Sequence, residues 1–388
     1  MSARVLVVGG VGQIGRHVVR LLATLPEVKT VIIGDIAAER AELLASELGE
    51  RGEARAFDAT DRVQLDQALS DVDLVVNTMG PFDRFGLPIL TAAIENGRNY
   101  VDVCDDWQAT ESFLALDEKA RAANVTAVIG FGLSPGITNM LAIRAARGFS
   151  NIDRMLTGWS LTAVTTEHEE IFDAGRVGSA ATYHWIEQVT GTIRVWRDGG
   201  LADVTPLDVI EVDYPDRGKQ RVYALGHPEP ITLPTRIGMV SESLNVMSGP
   251  QFVFDQLVET AARVDSGEFS VDEAVAAMST NKRHADGTTP PDKFPKVWAH
   301  VTGIRDGKQT TVAAHLLSLP PHRMGGNTGY PAALTAAALL RGDVQTAGVL
   351  APEDIGTPEA FFESLRAVST DPGASLDEFL IVTEVVEG

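Results

Sequence analysis

The apolar run Val5-Leu6-Val7-Val8 passes through Gly9 into Gly10-Val11-Gly12-Gln13-Ile14-Gly15, and Ile14, Val18, Leu21, Leu22 and Leu25 then recur at helical spacing. A short β-branched run of this kind reads as a buried parallel strand. Gly-x-Gly-x-x-Gly after a strand and opening a helix constrains the chain to few architectures, because each glycine has its own task. Gly10 permits the tight turn, Gly12 lets a pyrophosphate approach the backbone, and Gly15 lets helix and strand pack closely. The helix N-terminus adds N–H groups and the positive end of a dipole. A second strand, Thr30 to Gly34, ends in Asp35, twenty residues past Gly15, where a carboxylate can accept hydrogen bonds from both hydroxyls of an adenosine ribose. A 2′-phosphate would meet its negative charge. Gly10, Gly12, Gln13, Ile14, Gly15 and Asp35 are therefore expected to bind NAD, with NADP left open by Arg40 nearby.

The alternation continues down the chain. Ala54 to Phe57 leads to Asp58-Ala59-Thr60-Asp61, a plausible helix cap; Leu74-Val75-Val76 leads to Asn77-Thr78-Met79-Gly80-Pro81; Tyr100 to Val103 and Ala127 to Ile129 are two further strands. Helical segments are expected near 38–48, 62–69, 87–96 and 110–123. Six strands alternating with helices predict an α/β fold, a doubly wound parallel sheet whose ligands bind beyond the carboxyl ends of the strands. Those ends carry Asp58 and Ala59, Asn77 to Pro81, Asp102 to Asp106, and the stretch Gly130-Phe131-Gly132-Leu133-Ser134-Pro135-Gly136-Ile137-Thr138-Asn139-Met140. Three glycines and a proline in that last stretch suit close approach of backbone to a ligand as well as a tight strand-to-helix turn.

With 388 residues and 44% hydrophobic content the chain is long enough for two domains. From about residue 150 the pattern turns strand-rich. Ile193 to Trp196 before Asp198-Gly199, and Val297 to Val301 through Asp306-Gly307 to Thr311-Val312-Ala313, read as hairpins joined at Asp-Gly turns, and helices return at 251–264 and 271–279. This is an inserted α+β domain, expected to supply the substrate side and a dimer surface. The polar stretch 281–293 reads as a loop. Gly325-Gly326-Asn327-Thr328-Gly329-Tyr330-Pro331 is expected to lead into a helix over 332–341, with Arg323 just before it as a candidate carboxylate clamp.

A net charge of −21, from 53 acidic and 32 basic residues, repels phosphate backbones and anionic lipid and argues against nucleic acid or membrane as a partner. The single cysteine, Cys104, excludes an internal disulfide and a Cys-only metal site. No charged-then-apolar leader stands at Met1, so a cytoplasmic address is expected. His168 among Glu167, Glu169 and Glu170 fits no standard zinc spacing, and no metal is expected.

The segments VLVVGGVGQIGRHVVRLL, VVNTMGPFDRFGLPILTAAIENGRNYVDV, GFGLSPGITNMLA and TGYPAALTAAALLRGDVQTAGVLAPEDI resemble the saccharopine dehydrogenase family of saccharopine reductases, lysine 6-dehydrogenases and carboxynorspermidine dehydrogenases. The resemblance covers about the first 145 residues and the last 70. It implies a Rossmann domain over 1–145, an α+β substrate and dimerisation domain over 146–320, and a segment 321–388 returning to the Rossmann domain. It further implies that Asn77, Thr78, Met79, Gly80 and Pro81 pass the nicotinamide, and that Leu133, Ser134, Pro135 and Gly136 border the cofactor and substrate pocket; Asn139, Arg323 and Asn327 are further candidate substrate contacts. Saccharopine reductases have Asp-Pro-Gly where this chain has Ser134-Pro135-Gly136, so an ammonium-bearing substrate would need its carboxylate partner from Asp102, Asp105 or Asp106.

The implied reaction is NAD(P)-dependent hydride transfer at the C–N centre of an amine, amino acid or imine, by a homodimer. Asp105 and Asp106, then Asp102, are the candidate proton-transfer groups. A short-chain dehydrogenase would need Tyr-x-x-x-Lys, and none of Tyr100, Tyr183, Tyr214, Tyr223 or Tyr330 has lysine four positions on. A non-enzymatic redox sensor that binds NAD(P), and a homospermidine-synthase-like enzyme joining two amines, stand as alternatives.

Overall fold

The computed structural model describes residues 3–163, 180–280, 293–373 and 375–387. The chain divides into two compact units, one formed by Met1–Ile137 with Ser318–Ala374, the other by Thr138–Leu317 with Ser375–Gly388.

The first unit contains strands β1 (Ala3–Val8), β2 (Val28–Asp35), β3 (Gly52–Ala56), β4 (Leu74–Asn77), β5 (Asn99–Asp102) and β6 (Thr126–Val128). Helices α1 (Gly15–Leu22), α2 (Ala38–Leu48), α3 (Arg62–Leu69), α4 (Phe82–Glu95), α5 (Trp107–Leu114) and α6 (Asp117–Ala122) alternate with them. All pairings are parallel, in the order β6-β5-β4-β1-β2-β3. A seventh strand, Gly348–Leu350, joins beyond β6. Three residues of it were too few for a periodic signal. Val5, Leu6 and Val7 are fully buried, as expected for a central strand covered on both faces.

Three expectations are revised. The segment expected near 87–96 starts five residues earlier: Pro81 holds an extended backbone at the cap position, and Pro88 sits inside the helix. The segment 110–123 is two helices, α5 and α6. The glycine-rich stretch Gly325 to Pro331 is the interior of one helix, Arg323–Arg341, rather than a lead-in to it. Its glycines let α1 lie close: a Cβ on Gly325 would stand 2.5 Å from His17 Cδ2, and one on Gly329 3.1 Å from the Ile14 carbonyl oxygen. Absence of a side chain there serves helix contact, a use that sequence does not separate from conformational freedom.

The second unit is built on a nine-stranded sheet. Strands β7 (Phe149–Ser160), β8 (Ile193–Arg197), β9 (Gly200–Val204), β10 (Val209–Tyr214), β11 (Gly218–Leu225), β12 (Val240–Ser248), β13 (Val297–Arg305) and β14 (Lys308–Leu316) are joined by Leu380–Val386. The main path runs β10-β11-β12-β7-β13-β14 and then the C-terminal strand, with β8 on β12 and β9 on β8. Both Asp-Gly turns form, with Asp198 and Gly199, and Asp306 and Gly307, at positive φ, as a two-residue hairpin demands. Strand alternation sends Tyr223, Leu225 and Met247 into a core with Phe254 and Val275 of the helices Gln251–Asp265 and Val271–Thr280, while Val222, Ala224 and Val246 meet Trp298 in another.

Gly158 of β7 faces the fully buried Trp298 of β13 across the sheet, and a Cβ there would come within 2.2 Å of the indole. Gly158→Ala is expected to destabilise the chain by about 1–3 kcal/mol through overpacking. Urea unfolding checks this, and an unchanged midpoint would dismiss the steric account.

Candidate functional site

Because β1, β2, β4 and β5 are parallel, the residues that follow them share one edge of the first sheet. Thr78 Oγ1 donates to the carbonyl oxygens of Val8 at 2.9 Å and Gly9 at 3.2 Å, tying the end of β4 to the glycine loop. Within the loop Gly12 N–H donates to the Gly9 carbonyl at 3.0 Å, and Arg16 N–H to the Gly12 carbonyl at 3.2 Å. Gln13 and Ile14 are half-buried on the way into α1.

The three glycines are there for different reasons. A Cβ on Gly10 would approach Ile33 Cγ2 to 2.8 Å, and one on Gly15 would meet the Gly9 carbonyl oxygen at 2.1 Å. At Gly12, among the described residues and its chain neighbours apart, the Gly9 oxygen at 3.1 Å is the one atom within 4 Å of that position. Chain packing therefore demands glycine at 10 and 15. At 12 the missing side chain leaves space beside a helix N-terminus, which fits a dinucleotide phosphate.

Asp35, at the end of β2, accepts from the Val11 N–H at 3.3 Å through Oδ2 and from the Ala37 N–H at 3.1 Å through Oδ1. Arg40 Nη2 donates to the Val11 carbonyl at 3.1 Å. A carboxylate and a guanidinium thus flank the same loop residue. Asp58 Oδ1 accepts from Thr60 N–H at 2.9 Å and Thr60 Oγ1 at 2.6 Å. Those hydrogen bonds, the hydroxyl's first, hold its carboxyl below the usual range. Asp61 caps α3, and Ala59 is half-buried between them.

Asn77 is fully buried, donating to Tyr100 Oη at 3.0 Å and accepting from Met79 N–H at 3.0 Å. Met79, Gly80 and Pro81 are half-buried, and the bonds before Pro81 and Pro135 are cis. Asp102, fully buried at the end of β5, accepts through Oδ1 from Gly130 N–H at 2.6 Å and Cys104 N–H at 3.0 Å. Burial pushes its carboxyl up to about 6 despite these donors. Asp105 is half-buried and Asp106 buried; Asp106 Oδ2 accepts from the Phe82 N–H that opens α4, at 3.1 Å. Burial and then Asp106 raise the carboxyl of Asp83 in the same turn. Burial also pushes the Cys104 thiol well above its ordinary range, so a reactive thiolate is not what this strand end offers.

The stretch after β6 folds back on itself. Gly132 N–H donates to the Pro135 carbonyl at 2.8 Å, and a Cβ on Gly136 would lie 2.3 Å from the Gly132 oxygen. Gly130 and Gly136 both have positive φ. Ser134 is half-buried, Pro135 and Gly136 buried. Arg323 is exposed at the start of the helix Arg323–Arg341, and Asn327 is buried one turn further on. Asn139 is a buried residue of the second unit. His168 and its glutamates lie outside the described residues, as does nearly all of 281–293.

In the second unit sequence reasoning missed a buried polar cluster. Glu229, fully buried, accepts through Oε1 from Thr138 Oγ1 at 2.7 Å and Asn245 Nδ2 at 2.8 Å. Its Oε2 lies 3.5 Å from His227 Nδ1, and His227 Nε2 lies 3.5 Å from His184 Nε2. Asn245 is held by Trp159 Nε1 at 3.1 Å. The signal was the glutamate between two prolines in Gly226-His227-Pro228-Glu229-Pro230, with a histidine two residues before it.

Residues 5–128 match the family described as saccharopine dehydrogenase NADP binding domain. Among curated relatives, carboxyaminopropylagmatine dehydrogenase of Synechocystis sp. is 22% identical over 94% of this chain and 95% of its own. Carboxynorspermidine synthase of Vibrio cholerae is 22% identical over 81% of each. Among solved structures, apo saccharopine dehydrogenase (L-Glu forming) from Saccharomyces cerevisiae superposes with a TM-score of 0.65 at 16% identity, covering 99% of this chain and 100% of that one. That likeness fixes the fold, a Rossmann-like parallel sheet with a second mixed-sheet domain.

Proposed function

We propose that this chain, whose residues 5–128 match the saccharopine dehydrogenase NADP binding domain, is an NAD(P)-dependent oxidoreductase that transfers hydride at a C–N centre of an amine, amino acid or imine. The observation that carries this is the space left at Gly12 beside the N-terminus of α1, with Asp35 bonded to the same loop. Both relatives are named for carboxylated amines, which supports a substrate with nitrogen and carboxylate together. Bound there, the nicotinamide supplies the hydride acceptor or donor, and the protein orients the pair and manages protons.

Gly10, Gly12, Gln13, Ile14 and Gly15 take the pyrophosphate in this reading, Asp35 with Asp58 and Ala59 the adenosine side, and Asn77 to Pro81 the nicotinamide. Asp105 and Asp106 supply negative charge for the substrate ammonium, with Asp102 behind them holding the backbone of Cys104 and Gly130. Ser134, Pro135, Gly136, Asn139, Arg323 and Asn327 are the proposed substrate contacts. A cytoplasmic homodimer belongs to the same proposal; among the described residues no helix is long and apolar enough to cross a membrane.

The test follows nicotinamide absorbance while purified protein is incubated with NAD+ or NADP+ and a panel of lysine, saccharopine, ornithine, short diamines and carboxylated polyamines. Reduction with an amine is expected. Tight nucleotide binding with silence across every amine would favour the redox-sensor alternative. Asp35 also sets a cofactor expectation: wild type binds NADH more tightly than NADPH, and Asp35→Ser moves that ratio toward NADPH by about tenfold, or about 1.4 kcal/mol. Fluorescence titration of both nucleotides reads it, and a wild type that prefers NADPH refutes the assignment.

A further inference from the structure

Within the first unit, a buried set of side chains joins the ends of β4, β5 and β6. We propose that Tyr100 is a positioning residue that couples the segment Asn77 to Pro81 to the turn Gly130 to Gly136, so that a dinucleotide bound on the former tightens the latter. This rests on the reading of Asn77 to Pro81 as the nicotinamide segment.

Strand register brings these side chains together. In the parallel pairing of β4 with β5, Asn77 stands beside Asp102 and Val75 beside Tyr100. Residues paired across a ladder, and residues two apart on one strand, share a face of the sheet, so Asn77, Tyr100 and Asp102 point the same way. All three are fully buried. Three polar side chains in such a place cost free energy unless each is hydrogen-bonded.

Each bond fixes the next. A backbone N–H can only donate, so the Asn77 atom that meets Met79 N–H at 3.0 Å is the oxygen. The amide nitrogen is thereby aimed at Tyr100 Oη, 3.0 Å away. An amide nitrogen only donates, hence the phenol oxygen accepts and its own proton is left to give. Burial, then the charge of Asp102, raises the phenol well above its ordinary range, so it keeps that proton and hydrogen-bonds the Asp102 carboxylate with it. Asp102 passes the order on: its Oδ1 accepts from Gly130 N–H at 2.6 Å and Cys104 N–H at 3.0 Å, and its backbone carbonyl from Phe131 N–H at 2.8 Å.

β4 and β6 are not neighbours, because β5 lies between them. Without the hydroxyl, Asn77 holds Met79 and Asp102 holds Gly130 as separate events. With it, a contact that fixes the Met79 backbone orients Asn77, then the phenol, then the carboxylate, and the bonds of such a chain polarise one another. Phenylalanine would fill the same space with no polar atom to satisfy, so the hydroxyl has its use in the link.

Two readouts test this. In the first, the side-chain carboxyl carbon of Asp102 is titrated by NMR in nucleotide-free protein, with Asp102→Asn giving the assignment. Against the burial that raises this carboxyl, the phenol's hydrogen bond lowers it, so Tyr100→Phe is expected to raise the midpoint by about one unit. An unmoved midpoint overturns the link. In the second, hydrogen exchange of the Gly130 and Cys104 amides is followed by NMR at neutral pH with and without saturating NAD+ or NADP+, whichever binds by calorimetry. Nucleotide is expected to slow both amides by about tenfold in wild type and by less than about twofold in Tyr100→Phe. A phenol with a merely structural role would change exchange equally with and without nucleotide, and a wild-type ratio in Tyr100→Phe overturns the coupling. Should Tyr100→Phe not fold, Asp102→Asn takes its place in the exchange measurement, since it keeps an oxygen for Gly130 but turns a donor toward the phenol; the same loss of ratio is expected. If neither nucleotide binds wild type, the oxidoreductase reading fails and takes the dinucleotide's part of the coupling with it, while a raised carboxyl midpoint still establishes the link through Tyr100.

Discussion

Gly12→Val weakens nucleotide binding about 100-fold without unfolding the protein. The two halves of that expectation come from one comparison among neighbouring glycines. At Gly10 and Gly15 an added Cβ collides with Ile33 and with the Gly9 carbonyl, so loss of binding there would be inseparable from loss of fold. At Gly12, among the described residues and its chain neighbours apart, the one neighbour is the Gly9 oxygen at 3.1 Å, and a shift of a few tenths of an ångström accommodates it. What a valine fills at this position is the space proposed for the pyrophosphate. Displacing a phosphate from backbone N–H groups by a branched side chain costs about 3 kcal/mol as overpacking, which raises Kd by about 100-fold. NADH and NADPH fluorescence titrations measure the affinity, and a melting curve without nucleotide measures the fold. Wild-type affinity in Gly12→Val removes the assignment of the loop, and with it the observation on which the function rests.

The legible part of the chain was the part where one periodicity governs one element. Strand, glycine turn, helix and acid from Val5 to Asp35 follow local rules, and Asp35 accepts from the loop at the Val11 N–H. Hairpins at Asp198-Gly199 and Asp306-Gly307 were legible for the same reason, since a two-residue turn with positive φ has few sequences. Illegible elements are those decided by distant partners. Gly348–Leu350 is a strand because β6 has an open edge beside it. Gly325 and Gly329 are helical because α1 lies against them, and no local rule distinguishes glycine used for closeness from glycine used for a turn. Glu229 escaped notice because its donors Thr138 and Asn245 come from stretches of sequence remote from it. Asp102 was singled out for its strand-end position alone; that backbone N–H groups donate to it, one from the Gly130 turn, could be read only from the fold.

Those donors make Asp102→Asn the second large expectation, with a sign that depends on pH. The folded carboxyl is pushed from 3.8 up to about 6, first by burial, while the Gly130 and Cys104 N–H groups pull the other way. A folded pKa above the unfolded one means that the neutral carboxyl is the form the fold favours. The resulting stability is fully present below about pH 4 and is lost as pH rises through about 6. A rise of about two units corresponds to about 3 kcal/mol between those limits. Asparagine keeps an oxygen for Gly130 and Cys104 but does not titrate, so the variant gains on wild type by about 3 kcal/mol from pH 4 to pH 7, whatever fixed cost its amide carries at both. Urea unfolding of both proteins across this range measures the gain. Parallel pH curves would mean that the carboxyl ionises as readily inside as in water, and that burial at the end of β5 is incomplete. The same group proposed to order the Gly130 turn and the Cys104 backbone is then active in that role across the neutral range only at a cost to the fold. An acid tolerated at such a position, when asparagine would serve the packing, is what a site expects and a core does not.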